Sequence, residues 1–137
     1  KELHNISYDI AAYYDYKQWV SIYTRILVQY SQFLDSQKKY ADAEKLFKEC
    51  RQQKNWVNMQ VDTKLEYYEA LHLYAHGKAV WYQRKPDEAY QLMKQAKACI
   101  LNYRKSIDSE VDKDWHEHLK KIEDVMGFLE NAGVKGG

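Results

Sequence analysis

Tyr40-Ala41-Asp42-Ala43-Glu44-Lys45-Leu46-Phe47 and Pro86-Asp87-Glu88-Ala89-Tyr90-Gln91-Leu92-Met93 carry the same instruction twice. In each, a small alanine is followed four residues later by a large apolar side chain, and then by a small residue, Cys50 in the first and Ala96 in the second. Residues four apart share one helix face. The alanine lets a neighbouring helix come close, and the large residue fills the space below it. Each stretch therefore reads as the second helix of a packed helix pair.

The sequence on either side supplies the partners. Trp19, Ile22, Ile26, Tyr30 and Phe33 recur at steps of three and four, which predicts a buried helix over Asp15–Leu34 with this stripe inward. Tyr23, Leu27 and Leu34 widen the stripe, and Asp35-Ser36-Gln37 ends it. Lys39–Gln53 follows, with Tyr40, Ala43, Leu46, Phe47 and Cys50 on one face and charges on the other. Val61–Arg84 carries two adjacent stripes: Leu65, Tyr68, His72, Ala75, Ala79 and Tyr82, and beside it Tyr67, Leu71, Tyr74, Lys78 and Trp81. Pro86 ends this helix and opens the next, over Pro86–Lys105, where proline in the first turn removes no needed donor. Ser109–Asn131 is the last helix, with Ser109 as its cap, Trp115, Leu119, Ile122, Met126 and Leu129 as its stripe, and Gly133 as its stop. Val134–Gly137 reads as frayed.

Composition agrees with an all-helical domain. One proline and five glycines in 137 residues cannot punctuate a many-stranded sheet. Apolar residues make up 45%, enough for one real core at this length. Net charge is +1, without the basic excess that phosphate neutralisation demands of a DNA-binding domain. Cys50 and Cys99 sit singly in helical patterns and read as reduced core thiols. Lys1–Val20 contains Asp9, Asp15 and Lys17 and no apolar run, so it is no signal peptide, and the match of Asn5-Ile6-Ser7 to a glycosylation acceptor is chance. No stretch approaches the ~18 apolar residues of a membrane span. These readings predict a cytoplasmic location. The chain starts at Lys1 rather than methionine, which suggests a piece of a longer protein.

The alanine-large-small helices resemble the second helix of a tetratricopeptide unit. Gly77 falls where the first helix of such a unit wants a small residue, and Ser31 falls at the matching place in the earlier pair. Ala43 and Ala89 are 46 residues apart, against about 34 for the ordinary repeat. The expected architecture is a right-handed superhelical stack of antiparallel helix pairs in one domain. It comprises a lead-in over 1–16, a first pair over 17–53, a second over 61–105 and a closing helix over 109–131. An irregular helical bundle fits the same spacing.

Two segments extend the resemblance. Asp15-Tyr16-Lys17-Gln18-Trp19 opens a buried helix, and Thr63-Lys64-Leu65-Glu66-Tyr67-Tyr68-Glu69-Ala70-Leu71-His72-Leu73-Tyr74-Ala75-His76-Gly77-Lys78 runs from a long apolar helix to glycine-lysine ahead of an alanine-spaced helix. In this pattern the chain resembles the C-terminal domain of Rgg/GadR/MutR-type bacterial transcription regulators. The resemblance implies a domain that dimerises, receives a short signalling peptide on its concave face, and reaches DNA only through a helix-turn-helix domain outside this chain. A free-standing adaptor that holds a segment of a partner protein is the alternative.

First helices line the inner face of such a stack. Between the core positions lie Arg25, Val28, Gln29 and Gln32 on the first helix, and Leu71, Tyr74, Lys78 and Trp81 on the third. Arg25 and Lys78 suit a peptide carboxylate, Gln29 and Gln32 suit peptide amides, and Tyr74 and Trp81 suit an apolar side chain. The candidate binding residues are Arg25, Gln29, Gln32, Tyr74, Lys78 and Trp81; aromatics at helical spacing serve a core equally well.

Chemistry is not expected. Glu69, His72 and His76 share a face, but the order is not that of a zinc-protease helix, and histidines packed at a helix crossing explain the pattern. His116 and His118 are two apart and read as surface. Neither a glycine-rich phosphate loop nor a nucleophile in a recognisable setting is present. The reading is a non-enzymatic binding domain without metal or cofactor.

Overall fold

A computed structural model describes residues 22, 25–52, 64–106 and 113–134. These form five helices and, among the described residues, no strand. Residues 25–36 lie in α1, Tyr40–Arg51 form α2, Leu65–Tyr82 α3, Pro86–Ser106 α4 and Asp114–Asn131 α5. The expected lead-in, Trp19, and the Ser109 cap lie outside the described residues.

Side-chain pairs fix how neighbours run. Gly77 meets Leu92 and Met93 while Tyr67 meets Tyr103, so α3 and α4 are antiparallel. Tyr90–Glu130 and Lys97–Glu123 make α5 antiparallel to α4. Tyr40–His76 and Arg51–Glu66 do the same for α2 against α3. α3 also touches α1, through Asp35 and His72, and α5, through Trp81 and Phe128. It is the hub: from Lys64 to Trp81 none of its residues is exposed.

The 46-residue spacing recurs in three dimensions. Gln37 N–H reaches the carbonyls of Phe33 and Leu34, and Gln83 N–H reaches those of Ala79 and Val80. Lys39 N–H donates to Leu34, and Lys85 N–H to Val80. Lys38 and Arg84 both take positive φ, 61° and 63°, without glycine to ease it. Ser31 and Gly77, Leu34 and Val80, Ala43 and Ala89, Phe47 and Met93, and Cys50 and Ala96 are buried at matching places. The two helix pairs α1–α2 and α3–α4 are thus repeats of one hairpin.

The glycine has its reason here. A Cβ on Gly77 would stand 2.8 Å from Met93 Cε, 3.4 Å from Leu92 Cβ and 3.5 Å from the Ala89 carbonyl oxygen. Ser31, at the equivalent place, is buried and turns its hydroxyl onto the Val28 carbonyl at 2.8 Å.

The inward face of α1 is corrected. Ile22, Ile26, Tyr30 and Phe33, expected in the core, are 49%, 57%, 51% and 56% exposed. Leu27 and Leu34, expected to widen the stripe, are buried, and so are Ser31 and Val28, the latter expected on the binding face; Leu27 and Val28 pack against Phe47, Cys50 and Leu65. The core takes the face bearing the small residue, because only that face lets helices approach closely. The opposite end also differs. Gly133 (φ +105°) turns the chain so that Val134 N–H reaches the Leu129 carbonyl and Val134 packs beside Leu129, so this residue is held rather than frayed.

Gly77→Ala should leave stability nearly unchanged, because a helix-propensity gain of about 1 kcal/mol offsets displacement of the flexible Met93 methyl. Gly77→Val should destabilise by about 2–3 kcal/mol, as overpacking does. Urea midpoints at constant m-value measure both.

Candidate functional site

Polar groups enter the interior from α3. Glu66, Glu69 and His72 are buried on it, and His76 is half-buried. Two come from its first turns, where α2 ends opposite them. Arg51, in the last turn of α2, donates from Nε to both carboxylate oxygens of Glu69 at 2.8 and 2.9 Å, and from Nη2 to Oε1 at 2.5 Å. Its Nη1 lies 3.6 Å from Glu66, whose Oε2 has no hydrogen-bond partner. Burial, and next to it the charge of Glu69, push the Glu66 carboxyl up from its ordinary value against the pull of Arg51. Cys99 Sγ stands 3.8 Å from Glu69 Oε1. Burial first, then nearby carboxylates, raise the thiols of Cys50 to about 11 and Cys99 to about 12, far from the thiolate that chemistry requires.

One turn on, His72 donates from Nδ1 to Asp35 Oδ1 at 2.7 Å, since a carboxylate can only accept. Its ring stacks on Phe47 at 5.3 Å between centroids, and the His76 ring stacks on Tyr40 at 4.9 Å. The histidines pack at a helix crossing, as their spacing suggested. Among the described residues, no group of three or more His, Cys, Asp and Glu side chains could hold a metal ion. A cavity of about 180 Å³ beside them is lined by paired charges, Arg51 with Glu69 and Lys48 with Glu44, and by Phe47 and Leu73. Sequence reading missed the Arg51–Glu69 and Asp35–His72 pairs. Their members lie 18 and 37 residues apart, beyond any helical period.

The candidate binding residues divide into two sets. Tyr74 and Trp81 occupy the repeat positions of Val28 and Asp35, which on α1 turn toward α3. On α3 they turn toward α5: Tyr74 packs against the main core, and Trp81 lies 5.2 Å from Phe128. Both are half-buried wall between helices. Arg25, Gln29 and Gln32 are exposed on α1, in repeat register with Leu71, Ala75 and Lys78 of α3, which are half-buried. In repeat register these six positions make up a candidate strip on the first helices of the two hairpins. Lys78 is on that strip, its ammonium 5.3 Å above the Tyr74 ring. Tyr82, one turn further along α3, is 72% exposed and helps line a hollow of about 440 Å³ with Lys38, Tyr40, Ala79 and Gln83. Tyr82 and the hollow were absent from the sequence-picked site, because Tyr82 read as a core-stripe residue. Of the two histidines assigned to the surface, His116 is exposed, while His118 is half-buried edge-on to Tyr67 at 5.3 Å.

Comparison with protein-family models, with curated proteins and with solved structures found no match. No helix among the described residues is long and apolar enough to cross a membrane.

The interior charges make opposite demands. Glu69→Gln strands Arg51 and should cost about 1–3 kcal/mol, less than for a fully buried pair because Arg51 is partly wet. Glu66→Gln removes a carboxylate that burial disfavours and should be neutral or stabilising by up to about 1 kcal/mol at pH 7. Differential scanning calorimetry of both variants separates the two.

His76 gives a pH dependence. Burial, and next the neighbouring His72, lower its pKa from 6.5, outweighing Glu44, Glu88 and Asp35. The unfolded chain therefore binds this proton more readily. The contribution to stability is complete above 6.5 and is lost as pH falls through that value toward the lower folded pKa. Melting temperatures should fall between about pH 7.5 and 5.5, and His76→Phe, which keeps the stack on Tyr40, should flatten that limb.

Proposed function

We propose that this chain is a non-enzymatic binding domain whose tetratricopeptide-like helix pairs stack in a right-handed superhelix and present the strip of first helices to an extended peptide. The observation that carries it is the repeat register, which matches Arg25, Gln29 and Gln32 of α1 with Leu71, Ala75 and Lys78 at equivalent places on α3. The exposed Arg25 and the half-buried Lys78 attract a carboxylate, the glutamines pair with peptide amides, and Tyr82 with its hollow receives an apolar side chain. On its resemblance to Rgg/GadR/MutR-type regulators, the domain is the peptide-sensing and dimerising part of a bacterial transcription regulator, acting on DNA through a separate helix-turn-helix domain and working in the cytoplasm. Tyr74 and Trp81 then support the strip from below instead of touching the ligand.

Fluorescence anisotropy with a panel of labelled, unstructured eight- to ten-residue peptides carrying free C-termini tests this. A responsive peptide should lose about tenfold in affinity in Lys78→Glu and again in Arg25→Glu, as charge-assisted contacts do. Tyr74→Ala should lower the melting temperature as well as affinity. Failure of every peptide to bind below about 1 mM, or binding indifferent to both charge reversals, would overturn the reading.

A further inference from the structure

We infer that the exposed stripe of α1 is the seat of a second copy of this chain, packed antiparallel, α1 on α1. Every residue of the stripe has a counterpart in the second hairpin. Ile22, Ile26, Tyr30 and Phe33 correspond to Tyr68, His72, His76 and Ala79 of α3. On α3 that face is covered by the preceding hairpin: His72 takes Asp35 from α1 and Phe47 from α2, and His76 takes Tyr40 from α2. On α1 the same face holds two isoleucines, a tyrosine and a phenylalanine, more apolar than its covered counterpart, and it is open.

The two ends of the stack are not alike. At the far end α5 closes α4, with Tyr90 donating to Glu130 at 2.6 Å, and turns Glu117, Lys120, Lys121, Glu123 and Asp124 to water. That is the polar outer face that a terminal repeat needs. Among the described residues, α1 also exposes Ile22, Ile26, Tyr30 and Phe33.

The stripe fits itself. It runs from aliphatic at Ile22 and Ile26 to aromatic at Tyr30 and Phe33, whose rings stack at 6.4 Å. Reversed on a second copy, each aliphatic end meets an aromatic end. The midpoint of the stripe lies between Leu27 and Val28, so Ile22 of each copy falls opposite Phe33 of the other. No carboxylate interrupts the stripe, and a two-fold contact of this kind closes on itself. Half of four large apolar side chains is about 400 Å² per copy, below the ~800 Å² of a standard stable interface. The dimer is accordingly weak and reversible.

The inference rests on the dimerising part of the proposed function and on none of its peptide chemistry. Sedimentation velocity on the whole chain from about 1 to about 500 µM reads it. Wild type should pass from monomer to dimer and stop there. Ile26→Glu and Phe33→Glu should each weaken association at least tenfold while leaving the melting temperature nearly unchanged, since both side chains are exposed. Lys78→Glu should keep the dimer whatever it does to peptide binding, so loss of peptide response and loss of dimer are separately visible. A monomer throughout, open-ended assembly without a dimer plateau, or dimerisation untouched by both α1 substitutions would overturn the proposal.

Discussion

α3 buries Glu66, Glu69 and His72 and half-buries His76. A buried ionisable group must find a partner or be held neutral. Arg51 answers Glu69, Asp35 answers His72, and His76 is held toward its neutral form. These pairings come from α2 and α1, so they fix where the first hairpin sits on the second. Apolar burial between Phe47, Cys50 and Leu65 alone would permit sliding by a turn; a forked guanidinium on a carboxylate permits far less. Glu66 is the strained member, buried near a cation already committed to Glu69.

The hairpin repeat depends on steric economy at one point per pair. Where α3 crosses α4, a glycine fits without displacing Met93, whose Cε would stand 2.8 Å from an added Cβ. Where α1 crosses α2, serine suffices, and its hydroxyl is satisfied within its own helix. Both crossings are followed by the same turn, with a basic residue in left-handed conformation. The strain at Lys38 and Arg84 is tolerated because the turn returns backbone hydrogen bonds at both sites.

The helix count, the two alanine-based second helices and the turn at Pro86 were legible because local periodicity encodes them. The buried face of α1 was not. Its sequence holds two apolar stripes, and period alone cannot say which one the core takes. Alignment of the hairpins already placed Ser31 opposite Gly77, hence inward, and close packing followed that residue in preference to the bulkier stripe. The placement of the candidate residues was legible in part for a related reason. Arg25, Gln29, Gln32 and Lys78 fall between packing positions and stay on the strip, whereas Tyr74 and Trp81 fall on positions that the repeat uses to join one first helix to the next. Tyr82 went unnoticed because it continues a buried stripe past the point where the helix leaves the core.

Separating wall from strip changes how a bound peptide would act. A ligand on Arg25, Gln29, Gln32 and Lys78 touches α1 and α3 together, and these two helices are joined through Asp35 and His72. That pair is part-buried and its members stand on different hairpins, so a ligand that alters the α1–α3 angle must either keep their hydrogen bond or break it. With about 1.5–3 kcal/mol at stake in a charge-assisted bond, intermediate angles are disfavoured and the hairpins prefer one arrangement over a continuum. Because the α1 stripe lies on the same helix as half of the strip, any shift of α1 on α3 also re-aims that stripe. On the proposed function, peptide occupancy and association of two copies would be linked through the rigid body of α1.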